Sequence, residues 1–439
     1  MKLELIKQDQ KSKKVACLFI LFLTLWFFST YSFAQQDNSS QTDTKRVPQF
    51  GGPSSVGGQF NEDKQPREPY FRFEGIQKGL APWFDWKKRM FEENGLALGV
   101  NYMALYQTAS ESLGEDKAFG GIFQLPISWT VMGKGSESTG TIVFKLENRH
   151  RLGTDIAPQS LGLPPHVSAA AITGTMFSDY DGWGITNLYW QHKMKGGHLN
   201  YVAGIVDVTD YLDIYGMINP LTAFQNLVFS TNPTIASPNQ GLGGAFGTTM
   251  ASGKMYVVAG LSDANADPTE TGDSIDSFFS DNDYFYHAEL GWVSSFDRRY
   301  FDNTHITVWS RDADKFGNPD GWGLAFSWAK FIDDRMMPFV RVGHSDGGGG
   351  ALLENMISAG LGIYRKSHDL FGVGFSWGEV SEKTFAPGLD DQYTAEVFYR
   401  ITLSPNFALT PDLQLLVNPA LNPNESQVWI AGLRARLAL

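Results

Sequence analysis

Three places in the 439-residue chain hold residue types at spacings that could do chemistry. Gly343-His344-Ser345-Asp346-Gly347 has the Gly-x-Ser-x-Gly spacing that exposes a nucleophilic serine on a strand-to-helix elbow. A glycine run follows where that helix would have to start. His344 and Ser345, adjacent on an extended strand, also point to opposite faces, so a base and a nucleophile do not meet there. The stretch DANADPTETGD (263–273) alternates oxygen ligands as a calcium loop does, but Pro268 stands where such a loop needs glycine. The eight histidines show no metal-ligand spacing such as HExxH, and no metal or cofactor is expected. The third place is distributed. Lys145, Glu147, Arg149 and Arg151 fall at every second position of one segment, and Arg341, Arg400, Gln414, Arg434 and Arg436 lie in similar segments. On extended backbone this spacing puts fixed donors and acceptors on one face. The alternative for each residue is a solvated charge paired with a neighbouring carboxylate.

These residues must be positioned by strands. After Gly95 the chain falls into sixteen segments of about ten residues in which apolar and polar or small residues alternate, from 95–108 to 427–439. In 139–151, Val143, Lys145, Glu147, Arg149 and Arg151 share one face and Ile142, Phe144 and Leu146 the other. In 427–439, Trp429, Ala431, Leu433, Ala435, Leu437 and Leu439 lie opposite Arg434 and Arg436. Connections alternate in length: 133–138, 193–197, 252–253, 331–334 and 404–407 are short, whereas 152–181, 208–240, 264–282, 345–354 and 380–390 are long. Charge on one face, an apolar band on the other and this asymmetry predict an all-β, up-and-down antiparallel transmembrane barrel of about 16 strands over 95–439. The short connections belong to the periplasmic end. Trp83, Trp86 and Met90 lie at helical spacing between Pro82 and Gly95, predicting a short N-terminal helix over 82–94.

Residues 1–34 have a basic front, an apolar stretch from Val15 to Phe28 and a small-residue ending, the pattern of a cleaved signal peptide cut before Gln35. The only cysteine, Cys17, lies inside it, so disulfides and catalytic thiols are excluded downstream. Removing five lysines and two acidic residues takes the formal charge from −12 to −15, which disfavours nucleic acid as a partner. Residues 35–94 read as a periplasmic leader, flexible up to about 69, that ends in the short helix. Mean hydropathy is −0.21, and no later run is long enough for a membrane-spanning helix.

The stretches GIVDVTDYLDIYGMINPLTAFQNLVFSTNPTIASPNQGLGGAFG (204–247), TAEVFYRITLSPNFALTPDLQLLVNPALNPNESQVWIAGLRARL (394–437) and FDWKKRMFEENGLALGVNY (84–102) resemble the carbohydrate-selective porins of the OprB type. The resemblance implies a sixteen-stranded channel of the bacterial outer membrane that passes sugars down their gradient without cofactor or chemistry. It also implies that the loop 208–240, carrying Asp210, Asp213, Asn219 and Asn226, folds into the barrel and narrows it; an outward lid is the other reading. Lipid and the outer-membrane assembly machinery are the implied partners, although the chain ends in Leu439 where such barrels commonly end in an aromatic residue. A channel for small organic anions or general solutes stays open, as does, at greater distance, a barrel hydrolase.

Overall fold

A computed structural model describes residues 51–65, 67–250, 253–295, 298–365 and 368–439; the signal segment and the leader up to residue 50 lie outside the described residues. Alternating inward and outward residues build seventeen strand segments. They are β1 (Leu96–Leu98), β2 (Asn101–Ala109), β3 (Lys117–Met132), β4 (Thr139–Arg151), β5 (Gly182–Met194) and β6 (Leu199–Val206). Next come β7 (Gly241–Met250), β8 (Met255–Asp263), β9 (Tyr284–Val293), β10 (Asn303–Arg311), β11 (Gly321–Ala329) and β12 (Met336–Ser345). The last are β13 (Leu353–Tyr364), β14 (Leu370–Val380), β15 (Gln392–Ser404), β16 (Phe407–Val417) and β17 (Gln427–Ala438).

From β2 onward each strand pairs antiparallel with the next, and β17 returns to β2 in register from Ile430↔Ala109 to Ala438↔Asn101, which closes the barrel. β1 is the first half of the same barrel strand as β2. It pairs with β3, and across the break the Gly99 amide donates to Pro126 O at 3.0 Å while Val100 and Leu439 exchange amide bonds at 3.0 and 2.9 Å. The barrel therefore has sixteen strands, as the alternation predicts. In β11 the inward positions are Gly321, Gly323, Ala325, Ser327 and Ala329, whereas Trp322, Leu324, Phe326 and Trp328 point outward. Trp322 is 53% exposed and Leu324 45%, an apolar outer surface of the kind lipid covers. In β4 Lys145, Glu147 and Arg149 are buried on the inner face and Ile142, Phe144 and Leu146 lie on the outer one.

Among the described residues two helices precede the barrel, α1 (Val56–Asp63) and α2 (Glu74–Asn94). The end of α2 agrees with expectation: Gly95 takes φ 72°, which only glycine adopts without strain, and its amide bonds back to Phe91 O. Its start lies two turns earlier than predicted, because Pro82, which suits a first helical position, sits here inside the helix. Residues 51–65, part of the stretch whose composition reads as flexible, enter the barrel at its short-turn end. There Ser55 caps α1 through Gly58 N, and Val56 packs against inward residues Val143 and Tyr189.

Candidate functional site

The loop 208–240 lies inside the barrel, not over its mouth. Its apolar residues make a core of their own with the wall: Phe224 packs against Phe229, tilted, and edge-on against Phe398, each at 4.9 Å between ring centroids, and Tyr215 against Phe339 at 5.0 Å. Buried backbone groups on such a loop must find partners, and the inward faces of the strands supply them. Glu396 of β15 accepts the amides of Gln225 and Asn226 at 2.6 and 2.9 Å. Glu289 of β9 accepts the Asp213 amide at 2.6 Å and the hydroxyls of Tyr256 and Thr307 at 2.7 and 2.9 Å.

Arginines treat the loop's carbonyls in the same way. Arg341 of β12 donates to Phe229 O at 3.1 Å, to Thr231 O, to Asp213 O at 3.3 Å and to the Asp213 carboxylate. Arg434 of β17 donates to Ala223 O at 3.0 Å and to Pro220 O, and Arg400 of β15 to Thr222 O at 3.3 Å. Gln414 of β16 accepts from Asn226 Nδ2 at 2.9 Å. Asn226 also caps the short helix Leu227–Ser230 through Val228 N.

Above the loop's inner surface is a cavity of about 310 Å³. Lys145, Arg149, Asp207, Asp210, Thr175 and Asn232 are among the polar residues on its wall. Glu147 stands between two of them, 3.4 Å from Lys145 Nζ and 2.6 Å from Arg149 Nη2, and Arg149 lies over the Tyr180 ring at 4.6 Å. Burial pushes the Asp210 carboxyl up to about 7, against the pull of nearby Lys145, and Asn187 Nδ2 donates to it at 3.1 Å. Burial also drives the Tyr180 phenol upward. The arrangement offers donors and acceptors of both signs in a space of small-molecule size.

The predicted residues therefore separate into groups. Lys145, Arg149 and Asp210 border the cavity; Asp213 borders it too, but its oxygens are engaged by Arg341 and by His305 at 2.9 Å. Arg341, Arg400, Gln414, Arg434 and Asn226 hold the loop. Asn219 donates to Pro53 O at 3.1 Å and Arg436 pairs with Asp63 at 2.8 Å, so both face the N-terminal segment. Arg151 sits half-exposed at the outer rim beside Asp179, away from the rest. Sequence reasoning missed the share of the wall supplied by Ile172 and Thr175, Asn232 and Gln240, and Arg311. The unusual length of 152–181 was the signal available for the first pair.

The other two chemical candidates resolve into structure. Ser345 Oγ donates to Leu353 O at 2.8 Å, and His344, on the opposite face, is 2.8 Å from Asn355 Oδ1. The acidic stretch after Asp263 leads into a helix, Thr271–Ser280, that its sequence did not announce.

A closed sixteen-stranded antiparallel barrel, apolar outside, polar inside and narrowed by an infolded loop, is the architecture of a porin, and such a barrel indicates an outer membrane. Residues 307–439 match the family model described as "Carbohydrate-selective porin, OprB family", so the resemblance read from the C-terminal motif is borne out there. The high-pH structure of Pseudomonas putida OprB shares the fold with a TM-score of 0.65 at 14% identity, over 81% of this chain and 97% of that one. Porin AaxA of Chlamydia pneumoniae is 34% identical over 128 residues, 27% of this chain, and Porin AaxA of Chlamydia felis is 30% identical over 126, also 27%. The match spans 28% and 27% of the length of those two relatives.

Proposed function

We propose that the chain is an outer-membrane channel for passive, selective diffusion of sugars into the periplasm. The observation that carries this reading is the cavity of about 310 Å³ whose wall mixes cationic, anionic, amide and hydroxyl groups above an infolded loop. A sugar is neutral and presents hydroxyls that donate and accept at once, so a wall of both signs meets it without a net-charge requirement. Within this reading Lys145, Arg149 and Asp210 touch the solute, Glu147 fixes the two cations, and Asp213, Asn226, Arg341, Arg400, Gln414 and Arg434 hold the constriction in place. Contacts of this kind must be weak and several, because the solute has to leave as readily as it enters. The reading includes export by a signal peptide cut before Gln35, a periplasmic position for residues 67–94 of the leader, and no catalysis. The family description of residues 307–439 supports the substrate class.

The test is liposome swelling with mono-, di- and oligosaccharides, paired with single-channel current in the presence of each sugar. The reading requires swelling with neutral sugars and a saturable block of ion current by at least one of them. Current that is strongly anion-selective and indifferent to every sugar would replace it with an organic-anion channel. N-terminal sequencing of the purified protein checks the cleavage site.

A further inference from the structure

Below the cavity the N-terminal segment occupies part of the barrel. The first described residues of the N-terminal segment lie against the infolded loop. The Gly52 amide donates to Asp210 O, Pro53 O accepts from Asn219, and Ser54 forms part of the cavity floor. The contact is tight enough that a Cβ on Gly52 would stand 3.3 Å from the Ile214 Cβ. Behind these residues, Val56 is 0% exposed among Val143, Tyr189, Val206 and Val208, and Gln59 is 3.4 Å from Asn101 at the start of β2.

At the periplasmic exit the segment carries charge to match the wall. Glu62 accepts from Arg400 at 2.9 Å, and Asp63 pairs with Arg436 at 2.8 Å and with Arg67 at 3.1 Å. The space left among Glu62, Arg67, Leu221, His368, Arg400 and Arg436 is about 10 Å³. That is about the room of one water molecule, so the seated segment and the exit arginines pack closely here. Residues beyond the segment run out along the rim, where the Phe71 amide donates to Leu403 O at 2.9 Å.

We propose that residues 51–65 are a periplasmic plug, seated on the constriction loop and on the exit arginines, and that passage of any solute requires the plug to leave this seat. Its departure removes Glu62 and Asp63 from the exit and leaves Arg400 and Arg436 without their carboxylate partners, so the open exit is more cationic than the closed one. The inference goes beyond the sugar reading, because it applies to whatever the channel carries.

A disulfide between Gly52→Cys and Ile214→Cys pins the plug to the loop; the 3.3 Å Cβ separation is close to the range such bonds take, and the only natural cysteine is Cys17. In planar bilayers the full-length double variant is expected to lose its ion conductance when oxidised and to regain it with dithiothreitol, while each single variant ignores both reagents. As a second arm that needs no new bond, Glu62→Gln/Asp63→Asn loosens the seat, and it is expected to raise conductance and shift the reversal potential toward anions. Heat-modifiable gel migration verifies that each variant is a folded barrel. Equal conductance of the oxidised and reduced double variant, with the disulfide verified by mass, overturns the proposal; if that variant does not fold, unchanged conductance and reversal potential in the carboxylate variant overturn it. Because the readout is ion current, an indifference to sugars would refute the sugar reading and leave the plug standing.

Discussion

Arg341 is the residue whose removal tests most directly how the constriction is held. It is fully buried, its guanidinium serves three loop carbonyls and the Asp213 carboxylate, and it lies over the Tyr215 ring at 4.9 Å. Arg341→Ala strands that carboxylate with His305 alone and withdraws a donor from Phe229 O, which keeps the Tyr215 hydroxyl at 2.7 Å. Removing one partner of a buried ion pair costs about 3–5 kcal/mol. The barrel does not bear that cost, because residue 341 keeps its backbone pairs with Ser327 and Ser358; the seating of the loop bears it. At about 1.4 kcal/mol per factor of ten, the seated-to-released ratio falls by roughly a hundred-fold to a few thousand-fold. The loop holds Tyr211, Tyr215 and Phe224 and no lysine or arginine, so chymotrypsin reports its release and trypsin does not. Expected are chymotryptic cleavage between 208 and 240, larger conductance and an unchanged heat-modifiable barrel band. Arg341→Met combined with Asp213→Asn should recover part of the protection, since it removes the stranded charge. Wild-type protection and conductance in Arg341→Ala would refute the clamp.

Phe144→Arg, on the outer face at the middle of β4, should impair insertion by about 2–4 kcal/mol in urea titrations of the reconstituted barrel, whereas Arg149→Ala should insert normally. The same Arg149→Ala should weaken sugar block of the current by about 1.5–3 kcal/mol, the scale of a hydrogen bond from a charged donor; unchanged block would remove Arg149 from the solute's contacts. Asp210 carries a carboxyl raised to about 7, so the folded chain holds that proton more tightly than the unfolded one. Its contribution to stability is complete below the ordinary carboxylate range and is lost as pH rises through 7. Over the same interval the cavity gains a negative charge, and the cation-to-anion permeability ratio should rise; Asp210→Asn should flatten that change. Deleting 210–226 should widen the pore, raising ion conductance and erasing sugar block.

The strands were legible because alternation is imposed at every position of a wall between lipid and a polar interior. The segment 139–151 coincides with β4, and 427–439 overshoots β17 by one residue. The first segment, 95–108, corresponds to β1 and β2 together, since the hydrophobic pattern runs through the break at Gly99. The N-terminal elements were not legible to the same degree. Gly75, Gly79 and Pro82 argue locally against the first turns of α2, and α1 owes its place to contacts with Val143, Tyr189 and Asn101 far along the chain. The charged inward residues could be read as inward, but not their partners. Arg341 and Arg434 bind main-chain carbonyls 110 to 214 residues away, and a carbonyl looks the same at every position in a sequence.

The seam between β2 and β17 joins the first barrel strand to be synthesised with the last. Without the pairing of residues 427–438 to β2 the wall is an open sheet with two unpaired edges. The strand that completes it also carries Arg434, whose guanidinium finds its acceptors on Pro220 and Ala223 only when the loop already lies within. A sheet that zips shut with the loop outside leaves that buried cation without those acceptors, and pays for the error at the last step of closure. Closure of the wall and seating of the loop are thus coupled: Arg434 has these acceptors only in a barrel that has closed around the loop.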